Sequence, residues 1–200
     1  MHKSKYSVRS ELKYAIVSGI ERLWKSVLLE HHDDTFYAFV LTTYSDASAI
    51  GASACSIEHF ERLFHQNRYT IRESRAAAFL KWYWGDWGDY ELIGDQSVFE
   101  EANQILDDLM SRTSKAERSL LDQFQPWFGG YERIVHSAMY DALKIVTKKN
   151  VFQQASSPPP LVFMGVYDGE DNLTLKSACT LNTQATWKRH EAEFRKAFGF

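Results

Sequence analysis

Hydrophobic residues recur every three or four positions in two long stretches, the spacing that places them on one face of an α-helix. The first stretch runs from Ser10 to Leu29. The second, "YERIVHSAMYDALKIVTKKN", begins after Gly130 and carries the broadest apolar stripe in the chain. Its basic end, Lys148 and Lys149, complements the helix dipole. We expect both stretches to be helices, with the second near the centre of the fold.

Capping residues predict where the shorter helices begin. Ser56 precedes "IEHFERLF", and Thr183 precedes a segment that carries Trp187 and Phe194. Hydroxyl side chains at such positions accept a hydrogen bond from the first turn of a helix. Capping boxes at "SVFE" (97–100) and "SKAE" (114–117) predict two further helices, which end near residues 112 and 124. Together these signals predict about six helices.

Four segments rich in β-branched and aromatic residues are predicted to be strands. "TFYAFVLTT" (35–43) and "SDASAIGASA" (45–54) form one expected hairpin, and "LVFMGVYD" (161–168) and "LTLKSACTL" (173–181) flank the turn "GEDN" in a second. Helices and strands do not alternate singly, which favours the α+β class. We therefore expect a single α+β domain over residues 1–200, with an antiparallel sheet of about four strands covered by about six helices.

The composition is that of an ordinary globular protein, with 44% hydrophobic, 24% charged and 14% aromatic residues. A net charge of −3 provides no electrostatic footprint for direct nucleic-acid binding. The amino terminus lacks a secretory h-region, and no stretch is apolar enough to span a membrane, so a cytoplasmic location without membrane contact is expected. Cys55 and Cys179 are expected to be reduced and buried, although a disulfide would be possible if their strands pair.

Few residue clusters suggest catalysis, a metal or a cofactor. "HHDD" (31–34) has ligand types at adjacent positions, which do not converge as an i, i+4 pair does, so a solvated loop is favoured. Cys55 precedes His59 by four residues and could pair with it as nucleophile and base, but no third orienting residue is evident. "YDGEDN" (167–172) lacks calcium-loop spacing. We expect no enzymatic activity, no metal and no cofactor, with a small enzyme using Cys55 and His59 as an alternative.

One segment is strongly acidic. Between Lys81 and Asp108 there are eight acidic residues and one basic residue, a local net charge of −7. Its first part, "KWYWGDWGDYELIGD" (81–95), places aromatic residues among acids, a composition shared by protein interfaces and by core corners. We expect Trp82 and Trp87 to be structural and buried. The expected partner-binding residues are Trp84, Asp86, Asp89, Tyr90, Glu91, Asp95, Glu100 and Glu101.

A proline-rich loop, residues 153–160, interrupts the expected domain. Its sequence, "QQASSPPP", favours an extended polyproline II backbone and suits an exposed connector. The alternative is a docking motif for an SH3-like partner, which would make the chain a general interaction adaptor.

The order of motifs resembles the bacterial family catalogued as domain of unknown function 4303. The resemblance rests on an aromatic-rich first strand, on Trp82 and Trp87 with four residues between them, and on Ser177, Ala178, Leu181 and Asn182 in a late "SA..LN" pattern. It covers nearly the whole chain. The chain departs from the family pattern in lacking a proline between the two tryptophans and in its proline-rich insert.

The resemblance implies no established activity and no catalytic residue. Families of this kind are similar to the immunity proteins of bacterial contact-dependent and type VI toxin systems. The resemblance thus implies a small cytoplasmic protein that occludes the active or substrate site of its cognate toxin. Its acidic segment would face a basic toxin surface, such as the groove of a nuclease. The sequence leaves the oligomeric state open.

Overall fold

A computed structural model describes residues 5–67, 71, 74–87, 96–112, 130–154, 158–167 and 171–200. These ranges contain three strands and seven α-helices, with short 3-10 turns at Trp84–Asp86 and Gln96–Phe99. In chain order the elements are α1 (Lys5–Glu30), β1 (Phe36–Tyr44), β2 (Ile50–Ser56), α2 (Ile57–Gln66), α3 (Arg75–Trp82), α4 (Glu100–Arg112), α5 (Tyr131–Lys148), β3 (Leu161–Tyr167), α6 (Asp171–Leu181) and α7 (Gln184–Phe198).

The three described strands form one mixed sheet in the order β2, β1, β3. β1 pairs with β2 antiparallel, as the first expected hairpin requires, and with β3 parallel, so that Val40 lies opposite Ser53 and Phe163. The prediction of a four-stranded antiparallel sheet is therefore wrong. β2 ends and β3 begins at the same end of the sheet, the end where β1 also begins, so β3 runs parallel to β1.

The segment predicted to be the fourth strand is helix α6 instead. The sequence "LTLKSACTL" alternates like a strand at its start, but its buried residues Thr174, Ala178 and Leu181 are spaced four and three apart, as on one helix face. Cys179 follows Ala178 by 100° of helical rotation and is exposed, so its predicted burial is wrong. Cys55 is buried as expected, and both cysteines are free.

One face of the sheet is covered by α1, α4 and α5, which we call the first layer. Alternate strand residues, among them Phe39, Leu41 and Met164, point into this layer. Trp24 of α1 meets Phe39 edge to face, with ring centroids 5.8 Å apart. The predicted central helix, α5, is in this layer and buries Val135, Ala138, Met139, Ala142, Leu143 and Val146.

The opposite face is covered by α2, α3 and α7, which we call the second layer. It receives the other strand residues, including Val40 and Phe163, and packs them against Phe194 of α7. The Phe163 and Phe194 rings meet edge to face with centroids 5.2 Å apart. All three tryptophans of the 81–95 stretch lie in this layer.

The outer edge of β3 is closed by side chains instead of a strand. The carboxamide of Asn182, just after α6, accepts a hydrogen bond from the Val162 amide at 2.9 Å and donates to the Val162 carbonyl at 2.7 Å. The Ser177 hydroxyl accepts from the Met164 amide at 2.9 Å. Two residues of the "SA..LN" pattern thus satisfy backbone groups that a fourth strand would otherwise pair.

The outer edge of β2 is closed in the same way. Asn103 of α4 bonds both the amide of Ile50, at 2.7 Å, and its carbonyl. Gln96 does the same for Ala52, accepting at 3.1 Å and donating at 3.3 Å. We call Gln96, Asn103 and Asn182 the edge amides. They anchor α4 and α6 to opposite edges of the sheet.

The predicted caps have mixed outcomes. Ser56 accepts from the His59 amide at 3.0 Å and Thr183 from the Thr186 amide at 3.2 Å, so both N-caps are confirmed. The "SVFE" box is wrong in detail, because residues 96–99 form a 3-10 turn and α4 begins only at Glu100. The predicted helix at 115–124 lies outside the described residues.

Within the described part of the chain, no helix combines the length and the apolarity needed to cross a bilayer.

Candidate functional site

The tryptophans at 81–87 form a buried corner of the second layer. Trp82 and Trp87 have no exposed surface, which confirms their expected burial. Trp84, expected at the surface, is only 2% exposed, so that placement is wrong. A Cβ atom on Gly165 of β3 would lie 2.6 Å from Cζ2 of Trp84, so the indole occupies the space left by a missing side chain.

Hydrogen bonds from distant elements hold this corner in place. The Trp87 indole donates to the Lys81 carbonyl at 3.3 Å, and the Tyr37 hydroxyl donates to the same carbonyl at 2.6 Å. The Trp82 ring meets those of Tyr37 and Phe194 edge to face, each with centroids 5.3 Å apart. The Trp87 indole therefore holds the backbone of this corner and, because it is buried, does not contact a partner.

Lys81, the one basic residue of the acidic segment, is bound into the same corner. Its ammonium lies 2.6 Å from the Glu193 carboxylate and 5.4 Å from the centroid of the Tyr37 ring. Burial, aided by Lys81 and Arg189, lowers the pKa of neighbouring His190 to about 4. His190 is therefore neutral at pH 7 and adds no charge. The charge of Lys81 is used in an ion pair within the corner, so it does not offset the exposed acids.

The expected acidic residues do not form one described patch. Asp86 is exposed next to the second layer, whereas Glu100 and Glu101 are exposed on α4 of the first layer. The sheet lies between them, because the first and second layers cover its opposite faces. The remaining expected residues, Asp89, Tyr90, Glu91 and Asp95, lie outside the described residues.

Helix α4 carries four exposed carboxylates on a single face. At 100° per residue, Glu100, Glu101, Asp107 and Asp108 fall within an arc of about 120°. We call these four residues the acidic stripe. No lysine or arginine occurs between residues 100 and 111, and the opposite face buries Ala102 and Leu106. Asp107 and Asp108 contribute to the local charge of −7, but only the helix places them on the same face as Glu100 and Glu101.

The structure gives Cys55 none of the features of a nucleophile. The thiol is fully buried, and this desolvation raises its pKa to about 12. Both nitrogens of His59 are occupied: Nε2 donates to the Trp87 carbonyl at 2.6 Å, and Nδ1 accepts from Arg62 at 3.2 Å. A protonated thiol and an engaged imidazole do not form a nucleophile and base pair.

We expect iodoacetamide at about pH 8 to label Cys179 and to leave Cys55 unmodified in the folded protein, because only a thiolate reacts and burial keeps the Cys55 thiol protonated. Peptide mass spectrometry after a time course would measure both sites. The Cys179→Ser variant is the matched control and should take up no label until denaturant is added. Labelling of Cys55 in the folded variant would contradict its assignment as a structural thiol.

The "HHDD" loop is tied to neighbouring elements. Asp34 lies 3.8 Å from His31 and accepts a hydrogen bond from the Ser56 hydroxyl at 3.1 Å. Asp34 therefore helps to hold the residue that caps α2. Among the described residues, no group of three or more histidine, cysteine and acidic side chains could hold a metal ion.

The described prolines of the proline-rich loop are connected to the fold. The Pro158 carbonyl accepts from Gln154 at 3.1 Å, and the same carboxamide donates to the Phe36 carbonyl at 2.8 Å. Pro158 and Pro159 are exposed, but Pro160 is buried at the start of β3. A docking motif that is free to enter a partner's groove fits this arrangement less well than a structural connector.

Comparison with known proteins gives a family and no characterised relative. A family model described as a domain of unknown function (DUF4303) matches residues 12–183. The match contains both buried tryptophans and the edge-closing Ser177 and Asn182, and it ends just before α7. No curated protein and no solved structure matches the chain significantly. The chain therefore belongs to the DUF4303 family.

Proposed function

We propose that this chain is an immunity protein: a cytoplasmic, non-enzymatic protein that binds a cognate bacterial toxin and occludes the toxin's active or substrate site. The observation that carries the proposal is the acidic stripe of α4. Four carboxylates on one exposed face attract a basic surface over a distance of several ångströms, and a nuclease groove is such a surface. In the complex the carboxylates would take the places of nucleic-acid phosphates.

Helix stability alone does not account for the acidic stripe. Glu100 and Glu101 lie in the first turn, where the helix dipole favours negative charge. Asp107 and Asp108 lie beyond the first turn of α4, where the dipole gives negative charge no such support. Their presence on the face of Glu100 and Glu101 supports a role for the whole face in recognition.

The support under the acidic stripe is suited to rapid docking. Asn103 bonds both backbone groups of Ile50, and Phe99 packs so closely on α1 that a Cβ atom on Gly19 would lie 2.7 Å from its ring. The carboxylates therefore project from a helix that is fixed at both its start and its inner face. A preorganised surface loses little conformational entropy on binding.

The test requires a secreted toxin domain, which the proposal expects the adjacent open reading frame to encode. The double variant Glu101→Lys with Asp108→Lys reverses two charges of the acidic stripe, and we expect its association rate to fall by more than about tenfold at low salt. The difference should shrink as salt is added, because screening weakens the attraction of the wild-type protein. Stopped-flow or surface-plasmon measurements across a salt series would give both quantities.

The control is the double variant Glu30→Lys with Asp33→Lys, which makes the same change in net charge at exposed positions at and just after the end of α1. It should associate at nearly the wild-type rate. A third variant, Asp86→Lys, tests the acid next to the second layer. An unchanged rate for the α4 variant, or a lack of complex with wild-type protein, would overturn the proposal.

A further inference from the structure

Helices α5 and α6 border a cavity of about 530 Å³ that opens to solvent and is separate from the acidic stripe. One wall is formed by α5 between Glu132 and Tyr140, and the other by Leu173, Lys176 and Ser177 of α6. Ligand sites for small molecules fall in the range of about 300–1,000 Å³ and are often found between helices. The cavity is thus large enough for a small organic molecule.

The polar groups of this cavity favour a single negative charge. Arg133 and Lys176 contribute two cations, and Glu132 contributes one acid. The Lys176 ammonium forms no ion pair with the described residues. The Ser137 hydroxyl adds a donor at the same wall. One net positive charge suits a monoanion, whereas a second negative charge on a ligand would meet the carboxylate of Glu132.

An imidazole at this wall has hydrogen-bonding capacity that the fold does not use. Nε2 of His136 is buried and has no hydrogen-bond partner among the described residues. Burial lowers the pKa of His136, so the ring is neutral at pH 7 and can donate or accept. Buried polar atoms nearly always have partners, so Nε2 of His136, a residue that lines the cavity, is unusual in having none among the described residues.

The rest of the cavity is apolar and firmly held. Leu173 and the ring of Tyr140 line it, and the Tyr140 hydroxyl bonds Thr180 across the two helices at 3.0 Å. Ser177 is already engaged, since it accepts from the Met164 amide and donates to the Thr174 carbonyl. Lys176 and the imidazole of His136 therefore provide polar groups on the two walls, with apolar surface between them.

We propose that this cavity binds a small organic monocarboxylate with an apolar body, whose carboxylate lies near Lys176. The ligand would bridge α5 and α6 and so hold α6 against the edge of β3. This site goes beyond the proposed toxin binding and shares no residue with the acidic stripe, so either proposal can fail without affecting the other.

Benzoate, phenylacetate and indole-3-acetate are the probes, each compared with its neutral amide, which has nearly the same shape. Titrations of the full chain, followed by NMR and by thermal unfolding at concentrations up to about 10 mM, should show that at least one acid binds at residues of α5 and α6. That acid should bind at least about tenfold more tightly than its amide. It should also raise Tm, because a ligand of the native state stabilises it.

Two variants locate the site, and a third serves as the control. Lys176→Gln should weaken binding of the acid at least about fivefold and leave the amide unchanged, whereas Lys188→Gln on α7 should change neither. Ser137→Phe fills the cavity and should abolish binding of both the acid and the amide. If that variant does not fold, Lys176→Gln, at an exposed position, still tests the proposal. Absence of binding by all three acids, equal binding of acid and amide, or equal effects of the two lysine variants would overturn the proposal.

Discussion

Replacing Gly165 by valine is expected to lower the free energy of unfolding by about 3 kcal/mol, the upper part of the range for overpacking a core. A Cβ atom at this position would lie 2.6 and 2.7 Å from two atoms of the Trp84 indole, well inside contact distance. The indole cannot move aside easily, because it is buried against Phe163, Tyr167 and Phe198. Urea denaturation, with the midpoint and slope compared to wild type, would measure the loss.

The smaller change Gly165→Ala separates this clash from the general effect of glycine in a strand. In a strand interior alanine is normally more stabilising than glycine by about 0.5–1 kcal/mol. A destabilising effect of alanine at this position would therefore come from the Trp84 indole. In a Trp84→Leu background the same change should become neutral or stabilising. A double-mutant cycle reports that coupling directly. If Gly165→Ala had the same effect in both backgrounds, Trp84 would not be the cause.

Replacing Asn182 by alanine is expected to cost about 3 kcal/mol, because it leaves two buried backbone groups of Val162 without partners, at about 1–3 kcal/mol each. The same side chain also donates to the Ala178 carbonyl at 2.8 Å, so the end of α6 loses a contact as well. Denaturation would give the total cost. Hydrogen exchange would assign it, since the Val162 amide should lose protection.

Gln104→Ala is the matched control, because Gln104 is an exposed amide on α4 whose only described side-chain bond, to Asp108, is 3.5 Å long. We expect it to stay within about 0.5 kcal/mol of wild type. Asn103→Ala, at the other edge of the sheet, should instead resemble Asn182→Ala. A cost below about 1 kcal/mol at Asn182 would show that water replaces the carboxamide.

Local pattern was sufficient for much of the fold. The apolar stripes of α1 and α5, the β1–β2 hairpin and the caps at Ser56 and Thr183 depend on residues close in sequence, and the structure has them all. Trp82 and Trp87 could be placed in the core from their size and context. These features share one property, which is that neighbouring residues determine them.

The errors arose where residues far apart in sequence decide the outcome. The inner face of α6 includes Thr174 and Ser177, and Ser177 is polar there because it bonds β3, so the helical period was hidden. Trp84 is buried because Gly165, far along the chain, leaves space for it. The acids at 86 and 100 are separated by a sheet whose topology no local pattern reveals.

The closed edges of the sheet limit how this protein can recognise anything. An open outer strand is a template onto which a partner can add its own backbone, a common route both to peptide capture and to aggregation. Here the carboxamides of Gln96, Asn103 and Asn182 already occupy that template on both sides. Addition of a partner's backbone strand is thereby discouraged, and a partner must be selected through side chains on the helices, where charge and shape can distinguish one partner from another.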